Sequence, residues 1–355
     1  MKVGILSMKG NFIKDSGQGV QKYIYHIWRS MLELDSTDKI DKLELGFGRI
    51  RIVRMLSFTL LTFFKDLSGY DVISIPAPIL CNPLRKGRAK IVTTLHELPS
   101  LDKNIAYAAT LEREMRSNPL ASAISGFVGN RIMKQVLSSD ELIVNSTKTR
   151  DEAIKIGYDK RRIHVVKWGL EDRFLKGLNK PAKTFTVGYL GGLVVRKNVD
   201  FAIRAFKQTS DSGSRFMIYG KGPEHDELVA LASDDKRIEF MGFAAEDRLV
   251  SIYESFSVFV YPSLYEGLCL PILEAQARGL PVIIYKNSSM PKEIREYCLE
   301  AKNEKEMACM IMDIKKNGYD KKLQDRATKH AREYTWKNAA KETIEIYRKA
   351  CQSKA

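Results

Sequence analysis

What this chain lacks narrows its class first. Its 355 residues include only five cysteines, at 81, 269, 298, 309 and 351, and none forms a C-x-x-C pair. An odd, scattered set excludes a disulfide framework and a cysteine-rich zinc site, and points to a reducing, cytoplasmic setting. No apolar run approaches the roughly 20 residues of a membrane span. The nearest, Met55 to Phe64, is ten residues long between Arg54 and Lys65. The amino terminus turns polar at Lys9-Gly10-Asn11, too soon for a secretory signal. No D-x-D, H-E-x-x-H or clustered His/Asp set is visible, so no catalytic metal is called for. Gly17-Gln18-Gly19 lacks the third glycine of a dinucleotide fingerprint, which argues against an oxidoreductase.

What is present is enough for two domains. With 44% hydrophobic and 28% charged residues the chain can bury a core, and it is neither disordered nor fibrous. The net charge is +15 and uneven: residues 1–180 hold 30 Lys/Arg against 19 Asp/Glu, residues 181–355 hold 28 against 24. A basic first half suggests an anionic partner, whether phosphate, lipid headgroup or nucleic acid.

Short apolar runs alternate with helical periodicity along most of the chain. The pattern predicts strands at Val3–Ser7, Val72–Ile75, Ile91–Leu95 and Glu141–Asn145. In the second half it predicts Thr186–Leu190, Phe216–Tyr219, Ile238–Phe240, Val258–Tyr261 and Val282–Tyr285. Helices are expected at Gly19–Leu34, Val199–Thr209 and Pro271–Arg278. Such alternation means an α/β chain with parallel sheets covered on both faces. The polar stretch Asn179-Lys180-Pro181-Ala182 suggests a break. The expectation is two doubly wound, Rossmann-like domains, 1–178 and 179–335, facing a cleft, with a final helix in 336–355 able to pack back on the first domain.

The most informative segment runs from Tyr261 to Ala275. A strand ends at Tyr261, a loop carries Glu266, and Pro271 suits a helix start. The backbone amides of Gly267, Leu268, Cys269 and Leu270 then lie at a helix amino terminus, which attracts anions. Glu266 in the loop and Glu274, expected in the helix's first turn, flank that site and suit sugar hydroxyls.

Glu266 and Glu274 form an E-x7-E pattern, and in this the chain resembles retaining, nucleotide-sugar-dependent glycosyltransferases of the GT-B fold, family 4 (glycosyl transferases group 1). Further resemblances follow in order. Ser16-Gly17-Gln18-Gly19-Val20 is similar to the glycine-rich turn after the first strand, and Leu95-His96-Glu97 to a histidine-acid pair. Val144-Asn145-Ser146 and Val165 to Leu170 resemble the approach to the linker. Tyr189-Leu190-Gly191-Gly192 with Arg196-Lys197-Asn198 resembles the donor-phosphate turn, and Tyr219-Gly220-Lys221-Gly222-Pro223 the G-x-G-P turn.

The resemblance implies a UDP- or GDP-sugar donor held on the second domain, with no other cofactor, and a hydroxyl acceptor on a glycan, a lipid-linked molecule or a protein. It implies that Glu274 holds the ribose and that Glu266 with the amides after it holds sugar hydroxyls. Lys197 and Arg196 would sit on the diphosphate, Gly17 and Gly19 would let the backbone approach phosphates, and His96 would touch the transferred sugar. Departures are Gly192 where relatives carry arginine, and Cys269 where glycine is common. Alternatives are an epimerase of the same fold, a phosphorylase (for which no pyridoxal lysine is evident) and a non-catalytic homologue bound to membrane or nucleic acid. The segment Met55–Phe64 is expected to pack on the first-domain sheet. The charges at Arg49, Arg51, Arg54, Arg85, Lys86, Arg88 and Lys90 suggest peripheral contact with an anionic membrane, and a nucleic acid is the lesser expectation.

Overall fold

Four-residue runs such as Val72–Ile75 and Val258–Tyr261 have no polar face to turn toward water, so they occupy sheet centres. A computed structural model describes residues 1–12, 19–34, 37–47, 51–77, 85–98, 133–178 and 184–352, with backbone alone for 51–56. Among the described residues twelve strands form two six-stranded sheets. The first contains β1 (Lys2–Met8), β2 (Lys39–Leu45), β3 (Val72–Ile75), β4 (Lys90–Leu95), β5 (Glu141–Val144) and β6 (Ile163–Val165). The second contains β7 (Thr186–Leu190), β8 (Arg215–Tyr219), β9 (Ile238–Gly242), β10 (Val258–Tyr261), β11 (Val282–Tyr285) and β12 (Leu299–Ala301). Strand pairing is parallel in both sheets.

The strand orders decide where ligands can sit. In the first sheet the order is β2-β1-β3-β4-β5-β6, and in the second β12-β11-β10-β7-β8-β9. Each order reverses once, between β1 and β3 and between β7 and β10. In open parallel sheets the crevice at such a reversal, outside the strands' carboxyl ends, is the binding position. The loops after β7 and β10 carry residues 191–198 and 262–269, which are the segments singled out above.

The chain divides into two compact units, the first closing at Gly169 and resuming at Thr335, the second running from Leu170 to Tyr334. Residues 179–183, around the expected break, lie outside the described residues. Residues 170–178 go with the second unit because side chains fasten them there. Arg173 pairs with Glu246 at 3.0 Å, Arg278 donates to the Lys176 carbonyl, and Arg332 to that of Gly177. The helix Trp336–Gln352 packs on the helix Gly19–Glu33 and on β3, β4 and β5. There Tyr347 donates a 2.7 Å bond to Ser74 and Arg348 pairs with Asp38.

Three strands were not expected: β2, β6 and β12, each at a sheet edge. In β2 the charged Lys39, Lys42 and Glu44 stay in water, so no apolar run announces it, and β6 and β12 are only three residues long. Among the described residues no helix is long and apolar enough to cross a membrane.

Candidate functional site

The site in the second unit is assembled from backbone first. Val195–Lys197 makes one short 3₁₀ turn, and Asn198 (φ 55°, left-handed) swings the chain into the helix Val199–Lys207. The Asn198 amide donates 3.2 Å to the Pro262 carbonyl, and the Leu264 N–H donates 2.9 Å to that of Arg196. The loops after β7 and β10 are thus laced together. The loop after β8 braces them: Leu193 N–H donates to the Lys221 carbonyl, and Glu224 N–H to that of Leu193. This explains the glycines of the G-x-G-P turn. A Cβ at Gly220 would lie 1.9 Å from the Gly191 oxygen, and one at Gly222 would lie 2.0 Å from that of Leu193.

Onto this frame the charged side chains converge. The Glu266 carboxylate accepts from Lys197 Nζ at 2.5 Å and from Ser263 Oγ at 2.7 Å, and Arg196 Nη1 stands 3.2 Å from its other oxygen. Lys197 also donates to Tyr261 Oη at 2.7 Å, and Arg196 to the Tyr265 carbonyl at 2.6 Å. Burial works against a charged Glu266, yet the fields of Lys197 and Arg196 and the bonds from Lys197 and Ser263 outweigh it. Its carboxyl is held below the usual range. Two cations around one buried carboxylate are a store of positive charge whose counter-ion is part of the protein.

The following helix is Leu270–Ala277, so Pro271 is its second residue and Glu274 its fifth. Glu274 therefore lies one residue deeper than expected, just past the first turn, because proline is tolerated at either of the first two positions. Tyr253 donates 2.8 Å to Glu274 Oε2 and fixes the carboxylate. Cys269 caps the helix in the left-handed region (φ 79°), so what the common glycine supplies at this position is conformational freedom as much as space. Burial, reinforced by Glu266, pushes the Cys269 thiol well up, and it stays protonated. The Asn287–Glu293 loop joins through Ser289: its carbonyl accepts from Glu266 N–H at 3.0 Å and its N–H donates to Leu264 O at 2.8 Å. At Gly192 an added Cβ meets nothing within 4 Å, so the position of the missing arginine is open.

His96 belongs to the first unit, directly after β4. Its Nε2 hydrogen-bonds the Pro76 carbonyl at 2.7 Å, which makes Nε2–H the donor and leaves Nδ1 as an acceptor. Nδ1 is buried and has no partner among the described residues. The ring is held edge-on by Tyr23 (centroids 5.0 Å) and Trp168 (4.7 Å). Burial, partly opposed by the Pro76 bond, lowers its pKa to about 4, so it is neutral near pH 7. Gly19 opens the helix Gly19–Glu33 and a Cβ there would meet no atom within 4 Å. Gly17 lies outside the described residues.

The structure brings together Arg196, Lys197, Glu266, the Gly267–Leu270 segment and Glu274 in one unit, and sets His96 and Gly19 in the other. Sequence reasoning missed Ser263 and Tyr253, which donate to the two glutamates, and Tyr261, which accepts from Lys197. Tyr261 had a signal in closing a buried strand beside the motif; Ser263 and Tyr253 had none.

Residues 184–317 match the family described as Glycosyl transferases group 1. The O-antigen chain mannosyltransferase B of Escherichia coli is 28% identical over 170 residues, 45% of this chain and 45% of that protein. The chain thus spans about half the length of the curated relatives it matches. Among solved structures, the sucrose-phosphate synthase of Thermosynechococcus elongatus superposes with a TM-score of 0.74 at 17% identity, covering 98% of both chains. HepE of Anabaena, in complex with UDP, superposes with a TM-score of 0.69 at 15% identity, covering 98% of this chain and 100% of that one. The architecture is the GT-B fold.

Proposed function

We propose that this chain, which carries the group 1 glycosyltransferase signature in its second unit and has the GT-B fold, transfers a sugar from a nucleoside diphosphate sugar to a hydroxyl acceptor with retention of anomeric configuration. The observation that carries the reading is the Lys197–Glu266–Arg196 cluster at the reversal between β7 and β10. The incoming diphosphate takes over the two cations, and Glu266, released, accepts hydrogen bonds from the sugar. Glu274, held by Tyr253, takes the ribose hydroxyls.

In the transfer the acceptor oxygen bonds to the anomeric carbon and the bond from that carbon to the phosphate oxygen breaks. The acceptor's proton leaves with the phosphate. Lys197 and Arg196 stabilise the charge that grows on the departing diphosphate, which is where preorganised cations accelerate most. They supply the neutralisation with no divalent ion required, so chelator should leave turnover intact. Neutral His96, with Nδ1 as acceptor, suits a hydroxyl of the transferred sugar. The likeness to HepE with UDP supports uridine diphosphate sugars as the first donors to try, with guanosine diphosphate sugars beside them, and the likeness to an O-antigen chain mannosyltransferase supports an acceptor in glycan, glycolipid or envelope polysaccharide synthesis.

The test is thermal stability of the protein with uridine, guanosine and adenosine diphosphate sugars, in chelator. A donor at about 100 times its Kd stabilises by about 2.7 kcal/mol. A selective shift, followed by release of the nucleoside diphosphate when acceptor is added, supports transfer. Sugar isomerisation without release would make it an epimerase. A folded sample that shifts with none contradicts the reading.

A further inference from the structure

One helix of the first unit is apolar on two faces. Arg51–Phe64 is anchored to the sheet by Phe58, which is fully buried with Leu6, Leu67, Ile73 and Ile75. That part of the expected core packing holds. Yet Leu60, Phe63 and Phe64, spaced i, i+3 and i+4 on a single face, are 58%, 40% and 63% exposed. Phe47, 62% exposed, is fixed beside this helix because its N–H donates to Ser57 Oγ and its carbonyl accepts from the same hydroxyl. The outer face of a crossover helix in contact with water is ordinarily polar. Of the twelve large apolar side chains exposed among the described residues, five fall between Phe47 and Phe64. Single exposed leucines need no explanation; a contiguous ridge does.

The surroundings of the ridge are basic. Lys65 follows the helix directly and is exposed. Leu67 N–H donates to the Arg85 carbonyl at 2.8 Å, and Gly87 lies against Ser68, so the segment carrying exposed Arg85 and Arg88 sits beside the helix's carboxyl end. Asp66 is the acidic residue among them. Its carboxyl is lowered mainly by bonds from Ser68, with Arg85 and Lys65 contributing. Lys86 shares Asp140 with Lys90. Cations therefore exceed anions around the ridge, in the half of the chain that holds most of the excess positive charge.

We infer that this ridge is an interfacial docking site for an anionic lipid bilayer. Phe64, Phe63, Leu60 and Phe47 enter the headgroup–acyl boundary while Lys65, Arg85 and Arg88 meet lipid phosphates. Apolar insertion flanked by basic residues is how a protein lies on a membrane without crossing it. A second copy of the chain is the poorer occupant, because it would bring the same cations against themselves. The inference does not depend on the donor reading.

The full chain is sedimented with vesicles of phosphatidylcholine, with and without phosphatidylglycerol, at low and physiological salt. The expected result is binding to the anionic vesicles and at least roughly tenfold weaker binding to neutral ones. The pairs Leu60→Ser/Phe64→Ser and Arg85→Glu/Arg88→Glu should each weaken binding roughly tenfold or more while leaving Tm unchanged, since these side chains are exposed. Donor-induced thermal shifts should be equal in wild type and both variants, which separates failure here from failure of the donor reading. Three results overturn the inference. These are no sedimentation with anionic vesicles at low salt, binding indifferent to the serine pair, or a dimer mass in light scattering that the serine pair abolishes.

Discussion

The two candidate clusters, one in each unit, are built in opposite ways. Around Glu266 the charged groups satisfy one another: three side-chain donors serve a single carboxylate, and backbone bonds lace the loops that carry them. Around His96 one acceptor has no partner among the described residues, and burial keeps the ring neutral against the opposing pull of its bond to the Pro76 carbonyl. A site for a polyanion must store positive charge, and stored charge without a counter-ion is costly when buried. A site for a neutral hydroxyl needs only a lone pair in a dry place. On the function proposed above, the first arrangement is switched by exchanging its internal anion for an external one, the second by being filled.

The comparison breaks most sharply at Lys197. Lys197→Ala should lower kcat by about 10²–10³-fold, the effect of removing one preorganised charge-stabilising donor. Donor affinity should fall less, and equal losses in kcat and affinity would assign Lys197 to ground-state binding alone. The variant also leaves Glu266 with one cation, so Tm falls and kinetics belong well below the new transition.

On the other side, His96 ties stability to pH. Its pKa is about 4 in the folded chain against 6.5 in the unfolded one, so between these values the unfolded chain binds more protons. The stabilisation is complete above pH 6.5 and is lost as pH falls toward 4, amounting to about 3 kcal/mol. Denaturant melts across that window should show the slope in wild type and lose it in His96→Gln. An unchanged slope would place the titration elsewhere.

Smaller effects sharpen the donor side. Glu274→Ala should weaken donor binding by about 1–3 kcal/mol. Tyr253→Phe should reproduce part of that loss by freeing the carboxylate, as calorimetry on the two variants would show. Gly192→Arg, built into open space, should fold normally and tighten nucleoside diphosphate binding several-fold; a clash would appear as a fallen Tm.

Legibility followed the physics. Central strands were readable because both faces are buried, and β3, β7, β10 and β11 have the bounds the apolar runs predict. Edge strands β2, β6 and β12 were not, since β2 mixes charge into its run and β6 and β12 are three residues long. Glu266 and Glu274 stood out through the loop and the proline between them, and Lys197 only through the resemblance of the turn that carries it. Ser263 and Tyr253 were not, because their roles arise from loops closing in three dimensions. The helix Arg51–Phe64 shows the remaining gap: its apolar content was evident, but which residues would face the sheet and which would face outward was not.

The central claim is that Glu266 is a built-in stand-in for the donor's anion. It is tested by titrating Glu266→Gln and wild type with the preferred nucleoside diphosphate and with its intact sugar nucleotide. The account predicts opposite signs: the diphosphate binds the variant more tightly, because the cations no longer have a competing carboxylate, while the sugar nucleotide binds more weakly for want of a hydroxyl acceptor. If both affinities fall together, Glu266 is only a brace for the loop, and the exchange of anions is wrong.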